Sequence, residues 1–557
     1  MNEISLKDLT VPRGLGLMSR RGFLSMSAAI GAAALIGVDK GQAANAAPKG
    51  QVVIGFSQEP VNFHPLMLAI EVDQGVHWNL FSPLWGVDDK GNFTPQLAAE
   101  VPTVENGGIS ADGLNWKIKL REGVKWHDGA PFSADDVKFS LDLLNNKDFK
   151  ANRRAGHELV RDITVVSPTE ITWRMEKVYA PYVSILAWTF IVPKHILEKE
   201  TDVNSSNFAA NPVGTGAFKW SERVPGDHIT LKANPEFFGD GPYVETIVFK
   251  YIPDMTVLYT QFQTGDIDYI GLQGISPDHY EEASKLADRV VVPVALPFIE
   301  NIALNLGKPV FQDKAVREAL YYAMDKQAII DAIYYGLPRP TESYLPYEAS
   351  AFNPDLPKQV YDIEKAKKIL DDAGWTPGAD GIREKGGVRL AFVNSTTAGN
   401  HVREQAQQLL QQSWKEIGAE MTIQNFPPAV MWGDNWMQSK FDSAMVGIGF
   451  MIGPDADTTD YFHSKSINAK GGNGQNTCQY ENPEVDKLLG EAADTVDQAK
   501  RNAIYKKQQE IVRADLPYLP IFQYAMVEGT KKGLEGYKPN VNTQTNTWNV
   551  NEWKWTS

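Results

Sequence analysis

The stretch LNWKIKLREGVKWHDGAPFSADDVKFSLDLL, residues 114–144, predicts a strand, a turn and a helix in direct succession. Apolar and polar side chains alternate in its first seven residues, so every second residue from Trp116 to Leu120 lies on one face of a strand. Ser133, followed three positions later by Asp136, has the pattern of a helix capping box. We therefore predict a half-buried strand that leads through a glycine-containing turn into a capped amphipathic helix.

A histidine, an aspartate and a serine also lie close together in this stretch, as His127, Asp128 and Ser133. A hydrolytic serine usually sits in a G-x-S-x-G turn, and Ser133 does not, whereas its place before a helix suits a cap. The sequence contains no H-E-x-x-H, paired-cysteine or phosphate-loop motif, and its nine histidines are scattered. We therefore predict no catalytic residue, no metal site and no cofactor.

The length, composition and net charge of the chain limit its possible architectures and partners. A chain of 557 residues, 43% of them hydrophobic, is long enough for two or three lobes. The formal net charge of −15 and the lack of a long basic run disfavour a nucleic acid partner, because phosphate binding needs clustered lysine and arginine. A single cysteine, Cys478, excludes an intrachain disulfide and predicts a passive thiol.

Residues 114–140 closely resemble the signature of the extracytoplasmic solute-binding proteins of ABC importers, in the peptide/nickel-binding class. The segments Asn211–Trp220, Tyr259–Tyr269 and Ile302–Leu306 resemble the same family, so the resemblance extends over nearly all of the chain that follows the signal sequence described below. It implies an α/β, periplasmic-binding-protein-like fold, with two main lobes of mixed sheets and helices joined by a hinge, plus an inserted domain. It also implies a monomer that encloses a small polar organic ligand and docks transiently on an ABC permease.

The resemblance divides the chain into three parts. Lobe I is discontinuous and contains 47–92, 212–299 and 523–557, domain II is inserted at 93–211, and lobe III covers 300–522. The chain then crosses between lobes more than once, which is the arrangement of a hinge that closes around a ligand.

Hydrophobic periodicity predicts the elements of lobe III. A helix capped by Asp313 is expected to continue through Ile330 and to end at Gly336. Strands alternate with further helices, as in a mixed sheet with helices packed on it. The predicted segments are helices at 363–373 and 404–417 and strands at 388–393, 420–425 and 441–450.

The first 46 residues have the layout of a twin-arginine signal peptide. Arg20 and Arg21 precede a weakly apolar run at 24–38, and an A-x-A site ends at Ala46. The alternative is an uncleaved anchor, but the run is too short and too rich in small residues for a good membrane span. No cysteine directly follows the run to carry a lipid, since the single cysteine, Cys478, lies far downstream. We expect cleavage near Ala46 and a periplasmic product.

The run DSAMVGIGFMIGPDADTTDYF, residues 442–462, contains Gly447, Gly449 and Gly453 within an apolar segment. Such a pattern suits a buried strand that a ligand or another part of the chain approaches closely. The alternative is an ordinary core strand followed by an acidic loop. Within the family resemblance, this run becomes the expected wall of the ligand cleft.

Peptide receptors of the family resemble one another in a W-x-x-D segment, whose aspartate holds the α-ammonium group of the ligand. Here no tryptophan precedes the acidic residues, and Ile452 or Pro454 stands where that aspartate would lie. Asp455 or Asp457 could substitute from a shifted loop. The difference weakens a dipeptide assignment and favours other polar organic ligands.

Two functional classes compete, a solute receptor and a secreted hydrolase. The resemblance favours the receptor, with a peptide or a peptide-like compound such as an opine as ligand, and an oligosaccharide or metal chelate as the alternative. A role in turn stability is an equally good interpretation for the first three candidates below, and a structural amide is an alternative for Asn305. The candidate ligand-binding residues are Glu59, Asn62, His64, Asn305, Trp432, Trp436, Phe450, Asp455, Asp457 and Tyr461.

Overall fold

The computed structural model describes residues 47–556, apart from 68, 153, 155, 428–429, 451–453, 473 and 544. The predicted signal peptide, 1–46, and Gly453 of the glycine-containing run lie outside the described residues. Among the described residues, no helix is long and apolar enough to cross a membrane.

The strands of the described chain range from two to 16 residues in length. They are β1 (Gln51–Phe56), β2 (Trp85–Val87), β3 (Phe93–Pro95), β4 (Asn115–Lys119), β5 (Val160–Ser167), β6 (Glu170–Met175), β7 (Phe218–Val224), β8 (His228–Ala233), β9 (Thr246–Tyr251), β10 (Tyr269–Ile275), β11 (Arg289–Leu304), β12 (Arg339–Pro340), β13 (Thr376–Pro377), β14 (Arg383–Lys385), β15 (Val388–Arg389), β16 (Ala391–Ser395), β17 (Glu420–Ile423), β18 (Ser443–Ile448), β19 (Tyr518–Lys531), β20 (Leu534–Glu535) and β21 (Lys554–Trp555).

The α-helices of the described chain lie between and beside these strands. They are Glu71–Leu80, Ala134–Asn145, Tyr182–Leu186, Lys194–Leu197, Met255–Thr264, Tyr280–Ala283, Pro309–Gln312, Lys314–Tyr322, Lys326–Ile333, Ile363–Asp372, His401–Glu416, Thr459–Phe462, Pro483–Asp494 and Gln498–Asp515.

One mixed sheet of eleven strands runs through the described chain. Its order is β17-β16-β18-β11-β19-β10-β1-β9-β8-β7, and β12 pairs with β19 beside this path. β1 is parallel to β9 and β10, and β16 is parallel to β17 and β18, whereas β11 and β19 are antiparallel to their neighbours. The mixed sheet with packed helices agrees with the α/β class predicted from the sequence.

β11 and β19 are the long strands of this sheet, and their pairing extends from Arg289 opposite Lys531 to Ala303 opposite Tyr518. The register shifts twice, between Ala295 and Ile299 and again directly after Glu300. Only beyond the first shift does β11 also pair with β18. A bend at this irregular segment would change the angle between the two halves of the sheet. The position of the hinge and the exact lobe boundaries stay predictions.

The stretch 114–144 folds as its pattern indicates. β4 pairs with β6 and buries Trp116, which stacks on Trp173 with ring centroids 5.8 Å apart. The backbone N–H of Ser133 donates to a carboxylate oxygen of Asp136 at 2.9 Å, and the Ser133 hydroxyl oxygen accepts the N–H of Asp135. The capping box is therefore confirmed, and Ser133 has a structural role.

Two of the predicted elements of lobe III are wrong in detail. The helix capped by Asp313 does not continue to Gly336, because Asp325 starts a second helix by accepting the N–H of Ala328 at 2.9 Å. The strand expected at 388–393 is divided in two, since β15 pairs with β14 in a small separate sheet while β16 joins the main sheet. Periodicity alone does not show such breaks within an apolar pattern.

Cys478 is completely buried, and burial raises the pKa of its thiol to about 12. Since the thiolate is the reactive form, the native protein should resist alkylation by iodoacetamide at pH 8, whereas the protein unfolded in guanidinium should be alkylated fully. Intact-mass spectrometry measures both reactions. Rapid, complete alkylation of the native protein would contradict the buried position.

Candidate functional site

One face of the helix Glu71–Leu80 carries Glu71, Gln74 and Trp78, at positions i, i+3 and i+7. These three side chains are only partly buried, whereas most of the helix is packed in the core. Each has a buried polar atom without a hydrogen-bond partner among the described residues: Oε1 of Glu71, Oε1 of Gln74 and Nε1 of Trp78. Buried polar atoms are rarely left unpaired, so this polar face is a surface that a ligand or ordered water completes.

The beginning of this helix is fixed by Asp73. Its Oδ1 accepts the backbone N–H groups of Val61 and Asn62 at 2.6 and 3.1 Å, and its Oδ2 accepts that of Ile70 at 2.9 Å. His77 Nε2 lies 2.8 Å from the Asn62 carbonyl and must therefore donate to it. Burial lowers the pKa of His77 to about 4, so the ring is neutral at pH 7. The turn before the helix thus holds the polar face in place.

Trp78 and Trp188 are among the residues that line a cavity of about 60 Å³. The two indole rings meet edge to face, with centroids 5.7 Å apart, and Trp188 Nε1 also lacks a partner among the described residues. Gln74, Asn152 and His157 contribute to the lining. Three residues that line this cavity, Gln74, Trp78 and Trp188, thus each have one buried polar atom without a partner among the described residues.

Glu71 of the polar face lies near a second, fully buried carboxylate, that of Glu528. Glu528 of β19 accepts hydrogen bonds from the hydroxyls of Tyr269 and Tyr537 at 2.8 and 2.6 Å and from Asn546 Nδ2 at 2.9 Å. Glu71 has no such partners, and burial, reinforced by the nearby Glu528 carboxylate, raises the pKa of Glu71 to about 7. No arginine or lysine of the described chain pairs with either carboxylate. A ligand cation would supply the missing positive charge.

The other half of the long strands carries a compensated pair of charges. Arg403 donates to both carboxylate oxygens of Glu300, at 2.9 and 3.1 Å, and to the Tyr524 hydroxyl at 2.9 Å. Gly447 of β18 lies directly beneath, since a Cβ there would be 2.8 Å from both the Arg403 guanidinium and the Tyr524 ring. The close approach predicted for the glycine-containing run is therefore present.

The three candidates of the first predicted turn, Glu59, Asn62 and His64, all have partners within the protein. Glu59 forms an ion pair with Arg223 at 2.7 Å. His64 is completely buried against Phe149 and Phe208, and burial lowers its pKa to about 3. Together with the contacts of Asn62 described above, these interactions support the structural interpretation of the turn.

The remaining polar and tryptophan candidates lie in two further places. Asn305 is buried and donates its amide N–H groups to the carbonyls of Ser439 and Phe441, both at 2.8 Å, as a structural amide does. Trp432 and Trp436 contact each other edge to face, at 5.7 Å, and only Trp432 is exposed. The structure does not bring these residues to the polar face of the helix Glu71–Leu80.

The two aspartate candidates have protein partners. Asp455 is buried and bonds to Arg501 Nε and to the Tyr505 hydroxyl, each at 2.9 Å. Asp457 accepts the hydroxyl of Tyr179, which belongs to predicted domain II, at 2.9 Å. A ligand ammonium group would have to displace Arg501 to reach Asp455 fully.

Phe450 and Tyr461 pack against each other beside these aspartates. Their ring centroids are 4.9 Å apart, and the Tyr461 hydroxyl donates to the carbonyl of Gly449 at 3.2 Å. The structure thus joins these four candidates in two pairs, Phe450 with Tyr461, and Asp455 with Asp457, whose backbone N–H donates to Asp455 Oδ1 at 3.1 Å. The ligand-binding roles of all ten candidates stay predictions.

The sequence analysis missed Glu71, Gln74, Trp78 and Trp188. A helical stripe in EVDQGVHWNL, with polar side chains at three- and four-residue spacing between buried positions, was a usable signal. No sequence signal pointed to Trp188, because it lies 110 residues after Trp78 and comes near it only in the tertiary fold.

We predict that Asp455→Ala lowers the free energy of unfolding by about 3–5 kcal/mol, because it leaves the buried Arg501 guanidinium without its counterion. Asp457→Ala is the matched control and should cost about 1–2 kcal/mol, since its partners, the Tyr179 hydroxyl and the hydroxyl and backbone N–H of Thr459, are all neutral. Urea denaturation of the ligand-free protein measures both. Equal midpoints for Asp455→Ala and wild type would disprove the structural role.

We predict that Glu71→Gln stabilises the protein more as the pH rises. The pKa of Glu71 lies near 7 in the folded protein and near 4.5 in the unfolded chain, so its contribution is fully present below pH 4.5 and is lost as the pH passes 7. The variant should be equally stable at pH 4 and about 2–3 kcal/mol more stable at pH 8. Glu105→Gln, at an exposed position, is the control. A pH-independent difference in urea denaturation would count against this account.

Comparison with known proteins assigns the family. Residues 92–470 match the model of the bacterial extracellular solute-binding proteins, family 5 Middle. The oligopeptide-binding protein AppA of Bacillus subtilis is 30% identical over 522 residues, which cover 90% of this chain and 91% of that protein. Its structure with a nonapeptide has a TM-score of 0.73 at 28% identity, covering 92% of this chain and all of that one.

NikZ from Campylobacter jejuni, solved in complex with Ni(L-His), has a TM-score of 0.75 at 26% identity and covers 91% of this chain and 99% of that one. These similarities confirm the fold class and the resemblance inferred from the sequence. Members of the family are extracytoplasmic solute-binding proteins of transport systems. The chain belongs to the bacterial extracellular solute-binding proteins, family 5.

Proposed function

We propose that the protein is the substrate-binding component of an ABC importer, which encloses a polar organic solute and delivers it to a membrane permease. The observation that carries the proposal is the polar face of the helix Glu71–Leu80, with its three buried and unpartnered polar atoms. The facing Trp188 and the neighbouring strand β19 complete one wall of the site. Because the chain belongs to a family of solute-binding proteins, we infer that this wall contacts the solute.

The polar and charged groups of an enclosed ligand need hydrogen-bonding or charged partners in the protein. A solute held between lobes loses its hydration, so each of its charges must meet an opposite charge, a hydrogen-bonding group or a bound water. The aromatic rings of Trp78 and Trp188 can cover its apolar parts, while Glu71 and Gln74 receive its polar groups. Binding then shifts the lobes toward the closed state by the preference of the ligand for that state.

The relatives suggest the class of solute. AppA was solved with a nonapeptide, and NikZ with nickel and L-histidine. No group of three or more His, Cys, Asp or Glu among the described residues of this chain could hold a metal ion. We therefore propose an organic ligand, a peptide or a peptide-like compound such as an opine. A metal chelate or an oligosaccharide is the second candidate.

We also propose that the protein is not an enzyme. The residues that suggested a hydrolytic site have other partners: His127 bonds to the backbone of Gly214 and Gly216, and Asp128 bonds to His195 at 2.8 Å. Ser133 caps its helix.

The site of action follows from the signal sequence. A twin-arginine leader at 1–46, cleaved near Ala46, would carry the folded protein to the periplasm, where an ABC permease can receive its solute. The protein would act there as a monomer that docks transiently on the permease.

The proposal predicts that a small molecule accompanies the protein purified from its native periplasm. Mass spectrometry of the denatured sample should identify it. Protein stripped by unfolding and refolding should have a larger radius of gyration in small-angle scattering and a lower melting temperature, and both should return when the compound is added back. The stripped protein with buffer alone is the control. A protein that binds its solute without any compaction would contradict closure.

A further inference from the structure

Predicted domain II is fastened to predicted lobe I by several hydrogen bonds. The backbone N–H of His127 donates to the Gly214 carbonyl at 2.9 Å, and its ring nitrogens bond to the backbone of Gly214 and Gly216 at 3.1 and 3.0 Å. The backbone N–H of Asn152 donates to the Leu66 carbonyl at 2.9 Å. Because the chain also enters and leaves domain II from lobe I, we expect these two parts to move together when the hinge bends.

A backbone hydrogen bond joins domain II to predicted lobe III. The N–H of Ala180 donates to the Ala493 carbonyl at 2.8 Å. Ala493 lies in the last turn of the helix Pro483–Asp494, where carbonyl groups have no partner within the helix. A residue of domain II therefore completes the end of a lobe III helix.

A side-chain hydrogen bond lies beside it. The Tyr179 hydroxyl donates to Asp457 Oδ2 at 2.9 Å, and both side chains are only partly buried. Asp457 Oδ1 accepts the backbone N–H and the hydroxyl of Thr459, at 3.0 and 2.6 Å. Lobe III thus holds the carboxylate through Oδ1, and Oδ2 accepts from domain II. Burial and the nearby Asp457 carboxylate raise the pKa of Tyr179 well above its usual value, so its hydroxyl stays protonated and can donate.

Arg501 organises the lobe III side of this contact. Its Nε donates to Asp455 Oδ2 at 2.9 Å, and its Nη1 donates to the carbonyls of Thr495 and Val496 at 2.8 and 2.9 Å. Val496 in turn flanks Gly113 of domain II, where a Cβ would lie 3.2 Å from a Val496 methyl carbon. Arg501 therefore connects the aspartate segment with the turn that packs on domain II.

The contact is small and interrupted by open space. A cavity of about 600 Å³ is lined by Val101, Thr103 and Val178 of domain II and by Asp497 and Gln498 of lobe III, among others. The buried apolar residues of domain II and those of lobe III also form separate clusters. The two surfaces can therefore separate without exposing a shared hydrophobic core.

We propose that the hydrogen bonds from Tyr179 to Asp457 and from Ala180 to Ala493 form a latch, which holds domain II and lobe I closed against lobe III. Both bonds must break when lobe III swings away from lobe I. Tyr179 is thus a positioning residue, which raises the affinity for solute by stabilising the closed state. The inference rests on the proposed function, which requires lobes that separate.

Hydrogen–deuterium exchange tests the latch in protein purified from its native periplasm with the accompanying solute retained. The Ala180 amide is protected by the Ala493 carbonyl and exchanges when the lobes separate. Tyr179→Phe keeps the ring, removes the hydroxyl and should speed this exchange about three- to tenfold. Tyr243→Phe is the matched control, because its hydroxyl donates to Asp240 at 2.7 Å within lobe I. Equal exchange of the Ala180 amide in Tyr179→Phe and wild type would overturn the latch.

Two further measurements distinguish a latch from a local weakening of domain II. The Glu176 amide donates to the Leu159 carbonyl at 2.7 Å within domain II, so its exchange should not change in Tyr179→Phe. In the Asp457→Ala background, Tyr179→Phe should alter the exchange at Ala180 less than twofold, because the hydroxyl has already lost its partner. Thermal melting confirms that each variant is folded. Faster exchange at Glu176, or effects of the two substitutions that multiply, would overturn the latch.

Failure of the latch and failure of the proposed function give different results. If Tyr179→Phe exchanges as wild type does, while the accompanying solute still compacts the stripped protein in small-angle scattering, the latch is wrong and the transport function stands. If no solute compacts the protein, the proposed function fails, and the latch fails with it.

Discussion

The antiparallel pairing of β11 with β19 joins the two halves of the main sheet. Both strands extend through the sheet, and β10 flanks one half of the pair while β18 flanks the other. The register shifts near Ile299 interrupt the ladder where the flanking strands change. Backbone hydrogen bonds thus keep the halves connected, and the interruption leaves them a place to bend. A receptor that encloses its ligand requires both properties.

Each of the two strands carries a buried carboxylate, Glu300 of β11 and Glu528 of β19. Glu300 and Arg403 neutralise each other, so this part of the wall is electrostatically complete. By contrast, Glu528 of β19 and the nearby Glu71 are both carboxylates, and no described cation balances them. A cationic group placed here would offset the unfavourable burial of the two carboxylates.

Local structure was predictable where the signal lies within a few residues, as in the Ser133 cap and the alternation around Trp116. The sequence predicted that some group approaches the glycine-containing run closely, as happens at Gly447. It could not predict that the groups are Arg403 and Tyr524, because these residues come from other segments of the chain. The acidic residues of the glycine-containing run were the natural site candidates, yet Asp455 meets Arg501, 46 residues later. The polar face could not be recognised in the sequence, because its environment includes Trp188 and Glu528, which are distant in sequence and become neighbours only in the fold.

The central claim is that the polar face of the helix Glu71–Leu80 is the ligand-binding wall. A crystal structure of the protein purified from its native periplasm, with the accompanying solute retained, tests it most directly. The account predicts a bound solute in contact with the side chains of Glu71, Gln74 and Trp78. A solute bound elsewhere in the protein, with only water along this face, would contradict it.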